Sequence, residues 1–394
     1  MNSSASNKKR KLVIMLSRFP FPLDKGDKLR AYYQIIEFSK YFDITLICTT
    51  DKKILKSEIE EIRPYCKEIH IIKLSYISIF FNLILNLFNN KPFQVGYFYS
   101  NKNSLYIKSI LKEVQPDHIF CQLIRVSEYV KNYHNCPKTI DYMDALSKGV
   151  ERRIENTTFL KKWLFKSEYK RLRTYEQKIY EYFEHHIIIS EQDRSFIMHP
   201  EYLKIKCIPN GVGKHFFESI DMKPDHELVF VGNLSYPPNI SAVTYIVKEV
   251  LPLLPKDTRL IISGSSTHHS IEKLIKDNPN ITLTGWVDDI RYSYLRGKVF
   301  IAPMFIGTGL QNKLIESMSL GVPCITTPLA NNALKAKPSN QILVANTKEE
   351  FAQAVTKLLN DKQLYEELKA KGKVFVQERF DWSKTVRDTI QLMN

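Results

Sequence analysis

The chain has 394 residues, of which 44% are hydrophobic and 25% charged, with only 13 Gly and 18 Pro. This composition excludes a disordered, collagen-like or low-complexity protein, and the length predicts two globular domains. The net charge of +15 is uneven, because residues 1–210 carry +12 and residues 211–394 carry +3. The first half is therefore expected to face an acidic partner, such as a phosphorylated small molecule, nucleic acid or an anionic membrane.

Six cysteines lie far apart, and none belongs to a pair or Cys/His cluster with the spacing of a metal site. Reduced thiols in the cytosol are the simplest interpretation of this pattern. The first apolar run ends at Leu16 and is too short for the core of a secretion signal. We therefore expect a cytoplasmic protein without a bound metal.

Short apolar, β-branched runs alternate with helical patterns along the chain. In the first half these predicted strands are residues 12–16, 44–48, 69–74, 118–121, 139–142 and 187–190. In the second half they are residues 228–231, 259–263, 281–284, 299–302, 324–327 and 342–344. Helices are predicted in the second half at residues 242–254, 310–320 and 348–359. The alternation predicts an α/β protein with two Rossmann-like, doubly wound parallel sheets, which bind ligand at the carboxyl ends of their strands.

The domain boundary is predicted in the polar stretch that follows Gly211. The first domain is expected to span residues 1–215 and the second residues 222–379. A last helix within residues 380–394 either completes the first domain or packs on the second, and its pattern does not decide between the two.

Two helical segments of the first half combine an apolar and a polar face. Residues 74–90 carry no charge, and their polar side chains recur every three or four positions, which leaves a broad apolar face. Residues 161–178 place Lys162, Lys166, Lys170 and Arg173 on one face and apolar side chains on the other. Each segment can be an ordinary helix, buried in the first case and solvated in the second. Alternatively, the pair touches lipid tails and an anionic leaflet, as expected of a peripheral enzyme on the inner face of the membrane.

The most specific segment lies at residues 303–323, where a strand, a glycine loop and a helix succeed one another. Lys313 and Glu316 share the polar face of this helix. Amide groups at the helix start suit a diphosphate, Lys313 adds a positive charge, and Glu316 can accept hydrogen bonds from two ribose hydroxyls. The pattern thus predicts a nucleotide-diphosphate site. A capping box between Thr308 and Gln311 is the structural alternative, and the two can coexist.

Six segments, in order along most of the chain, resemble the retaining glycosyltransferases of the GT-B fold, and within them a bacterial subgroup of exopolysaccharide-associated sugar transferases. They contain Phe19-Pro20-Phe21-Pro22 with Lys25-Gly26-Asp27, Ser190-Glu191-Gln192-Asp193, Pro209-Asn210-Gly211-Val212, Val231-Gly232-Asn233-Leu234, Gly285-Trp286-Val287-Asp288, and the helix from Gly307 to Glu316. The resemblance implies two Rossmann-like domains facing a central cleft. It also implies metal-independent, retaining transfer of a hexosyl or related sugar from a nucleotide-diphosphate sugar to a glycan in surface polysaccharide biosynthesis, with no other cofactor. The two helical segments described above add the expectation that the acceptor is linked to lipid.

The resemblance also implies roles for individual residues. Lys313, Glu316 and Asp27 are expected to act in catalysis. The residues expected to bind the donor are Lys25, Gly26, Gly232, Asn233, Trp286, Val287, Gly307, Thr308, Gly309, Leu310, Gln311 and Asn312. Among them, Lys25 and Gly26 would close over the donor diphosphate together with Asp27, and Trp286 and the Val287 backbone would line the base pocket.

The sequence departs from the broader family where the chemistry occurs. Thr308 stands where an acidic residue is usual, and Asn233 and Pro238 stand where an Arg and a Lys are usual. The charge of the diphosphate must then be met by other cations. The candidates for this role are Lys313, Lys25, Lys28 and Arg30. An ordinary solvated helix start is the alternative interpretation of the last three.

Three rival functions stay open at this point. A nucleotide-sugar epimerase shares the architecture but activates water. A catalytically silent homologue would bind the donor without turnover. The basic first half also fits a nucleic-acid-binding protein, but the sequence contains no nucleic-acid recognition motif, and we expect no nucleic-acid partner.

Overall fold

The computed structural model describes residues 9–155, 159–306 and 309–394. The chain divides into two units, Met1–Pro209 with Trp382–Asn394 and Asn210–Asp381. This division falls several residues before the predicted one, because Val212 and Phe216 pack in the core of the second unit.

The first unit contains a sheet of seven parallel strands in the order β3-β2-β1-β4-β5-β6-β7. The strands are β1 (Arg10–Leu16), β2 (Phe42–Thr50), β3 (Glu68–Lys73), β4 (His118–Gln122), β5 (Lys138–Asp141), β6 (His185–Ile188) and β7 (Lys206–Cys207). Side chains of β1 are buried on both faces, with Leu12 and Ile14 in one hydrophobic cluster and Val13 and Met15 in another. This double burial explains why the strands form continuous apolar runs in the sequence.

Helices connect the strands of the first unit. They are α1 (Gly26–Phe38), α2 (Lys56–Ile62), α3 (Tyr76–Phe88), α4 (Phe93–Phe98), α5 (Asn101–Val114), α6 (Leu146–Glu155), α7 (Phe159–Tyr180) and α8 (Glu191–Arg194).

The second unit contains a sheet of six parallel strands in the order β10-β9-β8-β11-β12-β13. The strands are β8 (His226–Val231), β9 (Leu260–Ser263), β10 (Ile281–Gly285), β11 (Gly297–Ala302), β12 (Cys324–Thr326) and β13 (Leu343–Val344). The two sheets confirm the predicted α/β architecture, and all twelve predicted strands are present.

The helices of the second unit surround its sheet. They are α9 (Pro237–Tyr245), α10 (His269–Ile275), α11 (Ile290–Leu295), α12 (Asn312–Ser319), α13 (Pro328–Leu334), α14 (Lys348–Asn360) and α15 (Lys362–Arg379). The final helix, α16 (Trp382–Met393), belongs to the first unit, where Trp382 stacks on Tyr33 of α1 with ring centres 5.3 Å apart. α9 begins five residues before the predicted helix start because proline is tolerated in the first turn.

All six cysteines belong to the described part of the chain, and none forms a disulfide. Within residues 9–155, 159–306 and 309–394, no helix is both long and apolar enough to cross a bilayer.

Candidate functional site

The carboxyl ends of β8 and β11 lie side by side in the second unit, where the order of the strands reverses. From β8 the sheet continues through β9 to β10 on one side, and β11 then follows on the other side of β8. Such a switch point opens a crevice, because the connections after the two strands lead away in opposite directions. Gly232 and Asn233 follow β8, and the loop before α12 follows β11. The two segments expected to bind the donor diphosphate therefore meet at one edge of this sheet.

Lys313 brings a positive charge to this edge. Its ammonium group donates a hydrogen bond to the side-chain oxygen of Asn239, lies 3.9 Å from the Met304 sulfur and is 4.9 Å from the centre of the Phe230 ring. Loss of surrounding water lowers the pKa of Lys313 to about 7, and the negative charge of Glu316 offsets this effect only in part. A lysine with this pKa readily gains or loses its proton near neutral pH.

Asn239 on α9 holds the loop after β8 and the lysine together. Its amide nitrogen donates to the main-chain oxygen of Asn233 at 2.8 Å, and its oxygen accepts from Lys313. A Cβ atom on Gly232 would lie 2.7 Å from the Asn239 amide nitrogen and 3.3 Å from the Lys313 nitrogen, so the site requires glycine there. Asn239 belongs to no sequence motif and was not among the predicted site residues. The available signal was a polar residue on the buried side of α9.

Glu316 lies one turn further along α12. The hydroxyl of Tyr294, a fully buried residue of α11, donates to Glu316 Oε2 at 2.7 Å. Burial raises the pKa of Glu316, whereas the Tyr294 hydrogen bond and the charge of Lys313 act in the opposite direction. The hydrogen bond fixes the carboxylate, so that Oε1 can accept from a ligand. Tyr294 was also missed, because nothing in its local sequence indicates a polar contact.

Among the residues that the structure describes, no side chain caps the start of α12. Gln311 occupies the N-cap position, and its side chain donates to the main-chain oxygen of Gly309 at 3.0 Å instead of capping the helix. A Cβ atom on Gly309 would meet no atom within 4 Å. Gln311 thus directly precedes the first helical residue, and the alternative of a capping box with Thr308 involves a residue outside the described part of the chain. Gly307 and Thr308, both expected to bind the donor, lie outside the described residues.

The other expected donor-binding residues of the second unit fix loops or lie at the surface. The Asn233 side-chain oxygen accepts from the main chain of Ser235 at 3.0 Å and from its hydroxyl at 2.7 Å, which fixes the turn after β8. Trp286 follows β10 and is 69% exposed, and the neighbouring Val287 is half-buried. Leu310 packs partly on the hydrophobic core, and the Asn312 side chain accepts from Asn210 at 3.4 Å. An exposed indole at the end of a strand is available for stacking on a planar ligand.

The expected residues of the first unit lie at the start of α1. Asp27 pairs with Arg18 at 2.6 Å, and Lys28 pairs with Asp24 at 2.8 Å. Lys25 and Gly26 are exposed. Lys28 thus has a partner on its own segment, as the interpretation of an ordinary helix start requires.

Arg30 does not face a ligand, and the expectation that it neutralises phosphate is wrong. Its side chain is fully buried and forms an ion pair with Asp141 at the end of β5, with 2.6 Å between Nε and Oδ2. It also donates to the main-chain oxygen of Ile208 at 3.0 Å. Asp141 in turn accepts from the main chain of Met143 at 3.0 Å. Arg30 therefore holds the segment that follows β5 rather than binding a substrate.

The arrangement in the second unit suits a ligand that carries both phosphate and vicinal hydroxyls. Gly232 allows a ligand to approach the backbone, Lys313 supplies a positive charge, and Glu316 supplies an oriented acceptor. Within the described part of the chain, no group of three or more His, Cys, Asp or Glu side chains is placed to hold a metal ion.

Comparison with known sequences agrees with this description. Residues 225–361 match the family model described as "Glycosyl transferases group 1". Over 400 residues the chain is 22% identical to an uncharacterized 44.6 kDa protein in the cps region of Klebsiella pneumoniae, and the match covers 95% of this chain and 97% of that protein.

Solved structures show the same fold over the full length. Sucrose-phosphate synthase from Thermosynechococcus elongatus superimposes with a TM-score of 0.72 at 15% identity, covering 97% of this chain and 98% of that structure. Anabaena HepE, solved in complex with UDP, gives a TM-score of 0.68 at 10% identity and covers 97% and 98% of the two chains. The chain therefore has the GT-B fold, as the sequence predicted. Together with the family match, the comparisons support a glycosyltransferase.

Proposed function

We propose that the protein is a retaining glycosyltransferase that moves a hexosyl or related sugar from a nucleotide-diphosphate sugar to a glycan acceptor in surface polysaccharide biosynthesis. The observation that carries the proposal is the contact between Lys313 and Asn239 beside Gly232, one turn from Glu316, at the switch point of the second sheet. Two similar proteins support it: the Klebsiella pneumoniae protein is encoded in a cps region, and HepE, which has the same fold, was solved with UDP.

In this proposal the donor diphosphate lies against Gly232 and the amide groups at the start of α12, and Lys313 donates to it. Glu316 accepts from the ribose hydroxyls, and Trp286 and the Val287 backbone contact the base. An anion at hydrogen-bond distance favours the ammonium form, so donor binding raises the pKa of Lys313 from about 7. The lysine therefore takes up a proton when the donor binds at a pH above that value.

Transfer with retention develops positive charge on the sugar ring and negative charge on the departing diphosphate. Lys313 and the amides of residues 309–312 stabilise the leaving group as its bond to the sugar breaks, and the acceptor hydroxyl gives its proton late to an oxygen of the departing diphosphate. Lys25 and Asp27, at the start of α1, are proposed to contact the donor and the acceptor. In this scheme a lysine and backbone amides supply the positive potential, so transfer is expected to proceed in the presence of a chelator.

We further propose that the acceptor is linked to lipid and that the enzyme is peripheral on the cytoplasmic face of an anionic membrane. α3 supports this proposal, because Ile77, Phe81, Leu85 and Phe88 form a stripe at helical spacing, called the outer stripe below. Their exposed fractions are 71%, 59%, 60% and 86%. On α7, Lys162, Lys166 and Lys170 are exposed near Trp163, which is 70% exposed. Each cation close to an anionic leaflet contributes roughly 1 kcal/mol.

The membrane proposal is tested by co-sedimentation with phosphatidylglycerol vesicles at low salt. The wild type is expected to sediment with the vesicles, and the double variant Phe81→Ser with Leu85→Ser is expected to stay in the supernatant. Phosphatidylcholine vesicles serve as the uncharged control. Sedimentation that is equal for both proteins would exclude the outer stripe as the membrane contact.

The donor site is tested with a thermal-shift panel of UDP, GDP, ADP and their sugars. A ligand that binds only the folded state at 100 times its Kd raises the free energy of unfolding by about 2.7 kcal/mol, which is measurable as a higher Tm. One nucleotide series is expected to stabilise the wild type and to lose its effect in Lys313→Met. Release or transfer of the sugar then separates an active enzyme from a silent binding protein, and NMR of the product determines the anomeric configuration. No response to any nucleotide would refute the proposal.

A further inference from the structure

A cavity of about 890 Å³ lies within the first unit, between α3, α4, α6 and α7. This volume falls in the range of small-molecule sites, roughly 300–1,000 Å³. Its apolar wall consists of Phe80, Leu83, Ile84 and Leu87 of α3, called the pocket stripe below, and of Leu164 and Phe165 of α7. No residue of the proposed donor site in the second unit lines it.

The pocket stripe exists because α3 packs with its polar side toward the protein. Asn82 donates to the main-chain oxygen of Tyr99, and the buried Asn86 donates to that of Pro92 at 3.3 Å. Gly96 on α4 permits this approach, since a Cβ atom there would lie 1.7 Å from the Asn86 amide nitrogen. The asparagines and Ile79 occupy the inner face, so the other large apolar side chains of α3 point outward or into the cavity. Such a helix is built to meet an apolar partner.

Arg125 closes the polar end of the cavity. Its guanidinium group donates to Gln94 Oε1 at 3.1 Å from Nε and at 2.9 Å from Nη2, and lies 6.0 Å from the centre of the Phe98 ring. Among the residues that the structure describes, no carboxylate forms an ion pair with it. Burial lowers the pKa of Arg125, which reflects the poor solvation of its charge. A guanidinium with a neutral partner in a cavity favours an anion, and its fork matches the oxygens of a phosphate.

Two residues with positive φ lie close in sequence to polar side chains at this end of the cavity. Leu123, two residues before Arg125, has a φ of 66°, and Met143, directly before Asp144, has a φ of 61°. Non-glycine residues with positive φ cost on the order of 1–3 kcal/mol each and persist where the surrounding structure imposes them, often at functional sites. Arg125 and Asp144 both line the cavity, as does Arg153.

The other charged side chains of the cavity already have partners in the protein. Arg18 pairs with Asp27, and Asp51 accepts from the Tyr97 hydroxyl at 2.7 Å. Glu168 accepts from the first two amides of α4 at 2.7 and 3.0 Å. Besides these bonded groups, a ligand in the cavity would meet the Arg125 guanidinium, the Arg153 guanidinium and the Asp144 carboxylate. This combination suits a phosphate with hydroxyl groups beside it.

We propose that this cavity binds the acceptor, a sugar joined through phosphate to a single long apolar chain. The chain lies along the pocket stripe between α3 and α7, the phosphate binds Arg125 and Arg153, and Asp144 accepts from a sugar hydroxyl. That the bound molecule is an acceptor rests on the proposed function. The binding of an apolar phosphate does not, because every residue involved belongs to the first unit.

The test uses the full-length protein and dodecyl phosphate below its micellar concentration, measured by isothermal titration calorimetry. Gly149→Leu is the variant designed to fill the cavity, because Gly149 of α6 lines it. The variant is expected to fold, because a Cβ atom at this position meets nothing within 4 Å and leucine favours a helix more than glycine does. Gly149→Leu is expected to weaken the binding of dodecyl phosphate at least about tenfold. Arg125→Met is expected to weaken this binding roughly 10- to 100-fold, and Arg125→Lys is expected to recover part of the lost affinity. Inorganic phosphate is expected to bind far more weakly than dodecyl phosphate.

Phe81→Ser, on the outer stripe, is the matched control and is expected to bind dodecyl phosphate like the wild type while losing affinity for phosphatidylglycerol vesicles. Equal dodecyl phosphate affinity in the wild type and Gly149→Leu, or its loss in Phe81→Ser, would locate the chain outside the cavity and overturn the proposal. The same variants are titrated with nucleotides. A nucleotide response without dodecyl phosphate binding would overturn the cavity assignment alone. Dodecyl phosphate binding without any nucleotide response would refute the proposal that the protein is a glycosyltransferase, whereas the proposal that the cavity binds an apolar phosphate would stand.

Discussion

Replacing Lys313 by methionine is expected to weaken donor binding and to abolish its pH dependence. Methionine keeps an apolar stem next to Met304 and the Phe230 ring and removes the positive charge. A hydrogen bond that involves a charged group contributes about 1.5–3 kcal/mol, so the affinity for the nucleotide sugar should fall roughly 10- to 100-fold below pH 7.

The pH dependence follows from the low pKa of Lys313. Below about pH 7 the free protein already holds the ammonium form, and the affinity should not change with pH. Above pH 7, Lys313 of the ligand-free protein is neutral, so donor binding must include the uptake of a proton. This holds until the pH reaches the higher pKa that Lys313 has in the complex. The wild-type affinity should therefore fall by up to about tenfold per pH unit between pH 7 and 9, whereas that of Lys313→Met should stay constant.

Isothermal titration calorimetry at several pH values, in buffers of different ionisation enthalpy, measures both the affinity and the number of protons taken up. The ligand is the nucleotide sugar with the largest thermal shift, because the sugar blocks the terminal phosphate and keeps the ligand charge constant. Lys298→Met is the control, since Lys298 lies near the start of β11, at the opposite edge of the same sheet, with its side chain 44% exposed. A flat wild-type profile, or an unchanged slope in Lys313→Met, would refute the reasoning.

Three further changes test the same site. Gly232→Ala places a methyl group 2.7 Å from the Asn239 amide nitrogen, so we expect loss of the nucleotide thermal shift and a free energy of unfolding lower by about 1–3 kcal/mol in urea titrations. Tyr294→Phe removes the hydrogen bond to Glu316, so the free energy of unfolding should fall by about 1 kcal/mol and nucleotide binding should weaken several-fold. An unchanged Kd for the nucleotide would contradict the proposed ribose contact. Without ligand, the unfolded chain retains the Lys313 proton above pH 7 that the folded protein has lost. The free energy of unfolding of the wild type should therefore rise from pH 7 toward pH 10, relative to Lys313→Met, by up to about 1.4 kcal/mol per pH unit, and parallel profiles in urea would contradict this.

The strands were predictable because their signal is local. In a parallel sheet covered on both faces, each strand is a continuous apolar run, as β1 and β8 illustrate. β7 was missed because its two residues, Lys206 and Cys207, are at most half-buried and form no such run. The residues of α12 were predictable for a related reason, since helical spacing alone places Lys313 and Glu316 on one face.

Long-range contacts were not predictable. Arg30 was expected to be either a phosphate-binding cation or a solvated cation at a helix start, but its partner Asp141 lies 111 residues away, and only the folded chain brings the two together. The roles of Asn239 and Tyr294 were not predictable for the same reason. Each is an ordinary helical residue in the sequence, and each acquires its role from a hydrogen bond to α12.

The orientation of α3 shows what the periodicity of a helix leaves undetermined. The spacing of its asparagines identifies a polar stripe, but the same pattern fits a helix with that stripe in water and a helix with that stripe against the protein. Hydrogen bonds from Asn82 and Asn86 to main-chain oxygens of the following segment decide for the second arrangement. The consequence is that large side chains such as Phe81 and Phe88 face outward, although full burial of each would contribute about 1.5–3 kcal/mol. A bilayer against the outer stripe and a lipid chain along the pocket stripe would both supply that burial, so one chemical class of partner accounts for both apolar faces of the helix.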